Sequence, residues 1–128
     1  MNNRGSIFIP AGRKPWPHEF RVAEILATAG HEVEFIREAK VRTADILLDN
    51  VMFEIKSPKS FNANSFEHLL KRGTRQSPNL IIDSSRLRGV VDKKVEVFLV
   101  NQVKKQKQIK RLIFINKRGV VVDINEVI

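Results

Sequence analysis

Between two short apolar runs, residues 44–48 (Ala-Asp-Ile-Leu-Leu) and 51–57 (Val-Met-Phe-Glu-Ile-Lys-Ser), stand only Asp49 and Asn50. Asp and Asn tolerate the positive φ that a two-residue turn demands, so the stretch reads as a β-hairpin. This turn constrains the fold more tightly than any other feature of the chain. It fixes the pairing register, and with it which side chains share a face. Leu48 is set against Val51, Leu47 against Met52, Ile46 against Phe53 and Asp45 against Glu54. Directly opposed side chains lie on one face about 5 Å apart. Lys56, two residues beyond Glu54, points to that face as well, while Phe53 and Ile55 turn to the other.

The rest of the chain supplies elements for this hairpin to join. Pro10, Gly12, Pro15 and Pro17 form a loop feeding a helix from Trp16 to about Ala29, where Trp16, Phe20, Ala23, Leu26 and Ala27 recur at helical spacing and Gly30 is the stop. Residues 32–36 alternate as a strand, and Asn64-Ser65-Phe66-Glu67 has the character of a capping box opening a helix that carries Phe66, Leu69 and Leu70. Residues 80–82 read as a short buried strand and 91–110 as a further helix. Residues 112–115 and 120–124 flank a longer loop as a closing hairpin. The order helix, strand, hairpin, helix, strand, helix, hairpin predicts an α/β domain, a central mixed sheet flanked by helices. At 128 residues and 42% hydrophobic, with no repeat and no Gly/Ser linker, residues 1–128 are expected to form a single domain. Ile7-Phe8-Ile9, cut off by Pro10, is far too short for a signal peptide or membrane span. The absence of cysteine excludes disulfides, thiolate zinc sites and cysteine catalysis.

Charge narrows the class of partner. The formal net charge is +9, and it is unevenly spread: residues 1–55 sum to −1 and residues 56–128 to +10. A neutral half followed by a basic half predicts a positively charged face, the electrostatic footprint of a nucleic-acid partner, with a solvated basic surface as the plainer alternative. Residues 104–118 hold seven basic side chains and no acid, among them Lys104, Lys105 and Lys107, and are expected to hold a nucleic-acid backbone. Arg72 and Arg75, flanking the second helix, could clamp phosphates or simply be solvated. His18, His31 and His68 match no metal-ligand spacing. Aromatic residues are 7% of the chain, with no Tyr and with most Phe in apolar runs, which argues against readout by stacked single-stranded bases.

The opposed carboxylates Asp45 and Glu54 would destabilise the hairpin unless something offset them. Lys56 alone can do so as an ion-pair partner on an exposed hairpin. A divalent cation bound to oxygens of both carboxylates can also do so, and it would bring chemistry with it. In the helix before the hairpin, Glu19 falls inside the stripe that faces the sheet, where a carboxylate is costly unless paired or metal-bound; Glu24, on the stripe's other margin, is the second choice.

The pattern Glu19-x-x-x-Ala23-x-x-Leu26-x-x-x-Gly30, then Asp45, then Glu54-Ile55-Lys56, resembles the PD-(D/E)xK nuclease superfamily. Ser57-Pro58-Lys59-Ser60 and the stretch from Leu69-Leu70-Lys71-Arg72-Gly73 to Leu80-Ile81-Ile82-Asp83 resemble one branch more specifically: the C-terminal tRNA-nuclease toxin domain of contact-dependent growth inhibition proteins. The resemblance covers about residues 15–86; the usual Pro before the Asp is absent, Ala44 standing there. It implies a PD-(D/E)xK-like fold and a metal-dependent endonuclease acting on RNA, with tRNA as substrate. Glu19, Asp45 and Glu54 would hold Mg²⁺ (Mn²⁺ or Zn²⁺ as alternatives), Lys56 would position or activate the attacking water, and Gln76 is the candidate for a Gln common on the second helix. Substrate would be held by Lys59, Arg72, Arg75, Gln76, Lys104, Lys105 and Lys107. It further implies a cognate immunity protein, acidic to suit a +9 chain. The domain would be delivered as part of a longer secreted or cell-surface protein and act in the cytoplasm of the target cell, without itself inserting into a membrane. The residues alone support phosphodiester hydrolysis and leave two alternatives: a DNA endonuclease with the same site, or a non-catalytic basic RNA-binding module.

Overall fold

The computed structural model describes residues 4–37 and 44–128. In chain order the elements are β1 (Ile7–Phe8), α1 (Pro17–Thr28), β2 (Val33–Phe35), β3 (Ile46–Leu48), β4 (Val51–Lys56), α2 (Ala63–Gly73), β5 (Asn79–Asp83), α3 (Asp92–Lys105), β6 (Arg111–Ile115), β7 (Val121–Asp123) and α4 (Ile124–Val127). Among the described residues the strands form one sheet in the order of the chain, β1 to β7. Pairs β1–β2, β4–β5 and β5–β6 are parallel; β2–β3, β3–β4 and β6–β7 are antiparallel. The sheet is mixed and flanked by helices, as expected.

The hairpin is as its turn chemistry dictates. Asp49 (φ 49°) and Asn50 (φ 68°) both take positive φ, and Ile46 pairs with Phe53, Leu47 with Met52 and Leu48 with Val51. Because side chains alternate across a strand, this register sorts the sheet into two apolar faces. Phe53 and Ile55 join Ile46, Leu48, Ile81, Ile113 and Ile115 on one face, where Val22, Ala23 and Leu26 of α1 pack against them. Leu80, Ile82, Leu112 and Phe114 lie on the other, covered by Phe66 and Leu70 of α2, Val95 and Leu99 of α3, and Ile124 of α4. Glu54 and Lys56 alternate with Phe53 and Ile55, so they belong to this second face.

The structure departs from the sequence expectation in several elements: Ile124, read as the end of the closing hairpin, opens α4, and three further departures have identifiable causes. The Ile7–Phe8 segment is a parallel edge strand on β2; two residues carry no periodicity, and only tertiary pairing makes them a strand. The second helix starts at Ala63 because Asn62 caps it, its Oδ1 accepting the Ser65 N–H at 3.2 Å. The third helix stops at Lys105 instead of running to 110. Gln106 is buried (4% exposed), its backbone is extended (φ −96°, ψ 94°), and its Nε2 donates to Gln102 Oε1 at 2.7 Å, so a side chain drawn into the core takes the chain out of the helix. Among the described residues no helix is long and apolar enough to cross a membrane.

Candidate active site

The ladder between β3 and β4 ends at the Ile46–Phe53 pair. Just beyond it the Asp45 N–H donates to the Phe53 carbonyl at 3.1 Å, and Asp45 Oδ2 accepts the Ile55 N–H at 2.7 Å. Asp45 is therefore held by two backbone contacts to β4, one residue either side of Glu54. Glu54 is 5% exposed. Its Oε2 lies 3.2 Å from Lys56 Nζ, while its Oε1 is buried without a hydrogen-bond partner among the described residues. Burial pushes the Glu54 carboxyl up to about 7, and the neighbouring Asp45 carboxylate adds to the rise; Lys56 works against it. The opposed carboxylates and the lysine thus form one patch, as the register requires.

The C-terminal end of α2 lies close to Lys56. A Cβ on Gly73, the last residue of that helix, would lie 2.9 Å from Leu80 Cδ2 and 3.7 Å from Lys56 Cε, so the absence of a side chain there lets the helix end pack closely on Leu80, beside the lysine. Arg72 and Arg75, both exposed, flank this end of α2. Gln76 lies past the helix, its N–H bonded to the Gly73 carbonyl at 3.0 Å, so the expected Gln on the second helix is a turn residue.

Glu19 does not join the patch. It is buried (7% exposed) on α1, which packs on the opposite face of the sheet. Its Oε1 accepts the Trp16 N–H at 2.9 Å and its Oε2 faces Arg13 Nη2 at 3.5 Å. Arg13 itself donates from Nε to the Ile36 carbonyl at 3.0 Å and lies over the Phe35 ring. The carboxylate that the helical stripe turned inward is satisfied by a helix cap and an ion pair. Among the described residues no group of three or more His, Cys, Asp or Glu is arranged to hold a metal ion, so the expected set of Glu19, Asp45 and Glu54 is not preassembled.

The donor set that remains still fits a hard cation. Among the described residues Glu54 Oε1 is a buried carboxylate oxygen with no donor, beside a second carboxylate. Mg²⁺ is commonly bound through one or two carboxylates, with water and substrate phosphate completing its shell.

The expected substrate contacts are dispersed. Lys59 is exposed in the loop after β4; Lys104, Lys105 and Lys107 are exposed at and beyond the end of α3. Lys105 Nζ is engaged by Glu67 at 3.0 Å, which Lys71 also approaches at 3.7 Å. Sequence reasoning missed an aromatic surface: Trp16 is 67% and Phe20 37% exposed, one helical turn apart. The prolines on both sides of Trp16, which place it at the helix start and outside the buried stripe, were the available signal.

The mixed α/β fold and the sequence can now be set beside known proteins. Residues 42–121 match the contact-dependent growth inhibition CdiA C-terminal domain family, and the chain belongs to that family. A solved CdiA-CT/CdiI toxin and immunity complex from Burkholderia pseudomallei contains a similar chain: TM-score 0.68, 16% identity, covering 93% of this chain and 98% of that one. At that identity the likeness concerns the fold. No curated protein matches the sequence.

Proposed function

We propose that this domain is a metal-dependent endonuclease of PD-(D/E)xK type that hydrolyses phosphodiester bonds in RNA, with tRNA as its substrate. It serves as the toxin of a contact-dependent inhibition system. The observation that carries the reading is the patch of Asp45, Glu54 and Lys56, in which Glu54 Oε1 is buried without a partner among the described residues. Family membership and the fold shared with a chain of a toxin and immunity complex support the biological setting.

Asp45 and Glu54 would hold Mg²⁺, which when bound supplies charge stabilisation at the phosphate oxygens. Glu54, pushed up to about 7, must release its proton to act as a ligand, so cation affinity rises with pH through that value. Lys56, anchored 3.2 Å from Glu54 Oε2, presents its remaining N–H donors to the attacking water or to a phosphate oxygen. Glu19 steadies the start of α1 and is left out of the ligand set. The basic surface after residue 56 attracts the substrate backbone, and a cognate acidic immunity protein would neutralise the domain. The choice of tRNA rests on the resemblance through Arg72 to Asp83; the catalytic patch does not discriminate one sugar from another.

Incubation with purified tRNA, rRNA and plasmid DNA, with and without EDTA, tests the proposal. Discrete EDTA-sensitive cleavage of tRNA is expected. Cleavage of plasmid alone would make the domain a DNase. Binding of RNA without any cleavage would make it a non-catalytic module.

A further inference from the structure

The C-terminal ends of β4 and β5 carry a second polar construction. Asp83, the last residue of β5, is 0% exposed, and both of its oxygens are engaged. Oδ1 faces Arg21 Nη1 at 3.3 Å and accepts the Ser85 N–H at 3.1 Å. Oδ2 accepts from the hydroxyls of Ser57 at 3.0 Å and Ser85 at 2.9 Å. This carboxylate ties together α1, the end of β4 and the turn after β5. The turn is closed further by the Leu87 N–H on the Ser84 carbonyl at 3.0 Å and by Ser84 Oγ on the Ile115 carbonyl at 3.0 Å. It presents Arg86 and Arg88, which together with Ser85 and with Lys59 from the loop after β4 line a cavity of about 520 Å³.

The charge in this cavity is unbalanced. Several other cations meet carboxylates: Lys56 with Glu54, Lys105 with Glu67, Lys93 with Glu96 and Arg111 with Asp123. Among the described residues, Lys59, Arg86 and Arg88 have no carboxylate within ion-pair distance. Asp83, the acid nearest Arg86 in the chain, is turned inward and occupied by Arg21, Ser57 and Ser85. Arg86 is tethered through Nη1 to the Ser57 carbonyl at 3.5 Å. Three cations converging on a concave surface repel one another and concentrate positive potential. Guanidinium forks match the oxygens of a phosphate.

We propose that this cavity is a phosphate-binding subsite, in which Arg86, Arg88 and Lys59 hold a backbone phosphate flanking the one cleaved. Asp83 is the positioning residue that holds the turn. The inference rests on the reading of the domain as an RNA nuclease. Ser57, whose carbonyl tethers Arg86, directly follows Lys56 in the chain, which brings the cavity to the end of β4 that carries the patch.

The experiment is a salt titration of tRNA binding in EDTA, on an Glu54→Gln background so that the RNA stays intact. Arg86→Ala with Arg88→Ala should lower the slope of log affinity against log salt by about two units, one per lost phosphate contact. Arg86→Lys with Arg88→Lys should retain the slope. With Glu54 present, the double alanine variant should raise KM with kcat held. An unchanged slope overturns the subsite, as does an unchanged slope with weakened association to the immunity protein, which would assign the cavity to that partner. A reduced slope, together with no cleavage by the protein that retains Glu54, would sink the nuclease reading and leave the phosphate site standing.

Discussion

Replacing Glu54 by glutamine tests the electrostatics of the patch in the metal-free protein, with no assumption about substrate. The folded state raises the Glu54 carboxyl from 4.5 to about 7, chiefly through burial and then through Asp45. Between those two values the folded protein keeps a proton that the unfolded chain has released, so stability falls as pH rises across the window. Below 4.5 both states are protonated and the contribution is fully present; above about 7 it is lost and the cost levels off. The gap corresponds to about 3 kcal/mol as an upper limit. Glutamine has nearly the same shape and no charge to desolvate, and its amide can donate to Asp45. In EDTA, urea unfolding should find E54Q more stable than the parent by about 1–3 kcal/mol at about pH 8. The difference should shrink towards zero by about pH 4.5. Carboxylates remote from the patch are untouched by the substitution and drop out of the comparison. Equal stability at the higher pH, or a difference that does not change with pH, would refute the reasoning.

Lys56→Ala removes the one charge that holds the Glu54 carboxyl down, so Mg²⁺ titrations near neutral pH should show weaker binding, and tRNA cleavage should fall by about 100-fold or more. Glu19→Gln removes the carboxylate charge that faces Arg13 and should cost about 1.5–3 kcal/mol in thermal or urea unfolding, with cleavage per folded molecule retained. Loss of cleavage in a stable E19Q would make Glu19 a ligand after all. Asn50→Ala keeps the β-carbon at φ 68° but loses the short polar side chain that makes this conformation tolerable, and should cost about 1 kcal/mol, whereas Asn50→Gly should cost nothing; a lower Tm for the glycine variant would contradict the turn assignment.

What the chain reveals about itself depends on how local the cause is. The Asp49-Asn50 turn is a matter of two residues' φ, so the hairpin register and the meeting of Asp45, Glu54 and Lys56 on one patch follow from sequence. The inward turn of Glu19 was equally legible, because helical periodicity is local; its partner was not. Arg13 sits in a loop whose path is set by contacts to Ile36 and Phe35, and no spacing rule reaches that far. The end of α3 was missed for the opposite reason. Lys104, Lys105, Gln106 and Lys107 are all good helix formers, and only the burial of Gln106 against Gln102 overrides them. The Asp83 cluster joins residues 21, 57, 83 and 85, three of its elements meeting only once the sheet has formed.

The order of the strands across the sheet has a kinetic meaning. Each described strand lies beside the one before it and the one after it, so no strand waits for a distant part of the chain to find its neighbour. Loop-closure entropy is then spent in small steps, and the chain can accumulate structure in the direction in which it emerges, whether from a ribosome or from any passage traversed end first. The first apolar face needs β6 before it is complete, since Ile113 and Ile115 belong to it. Vectorial assembly should therefore show protected amides in the β2–β4 region ahead of those in β6 during pulsed hydrogen exchange. Simultaneous protection across the whole sheet would mean that the molecule instead condenses as one unit.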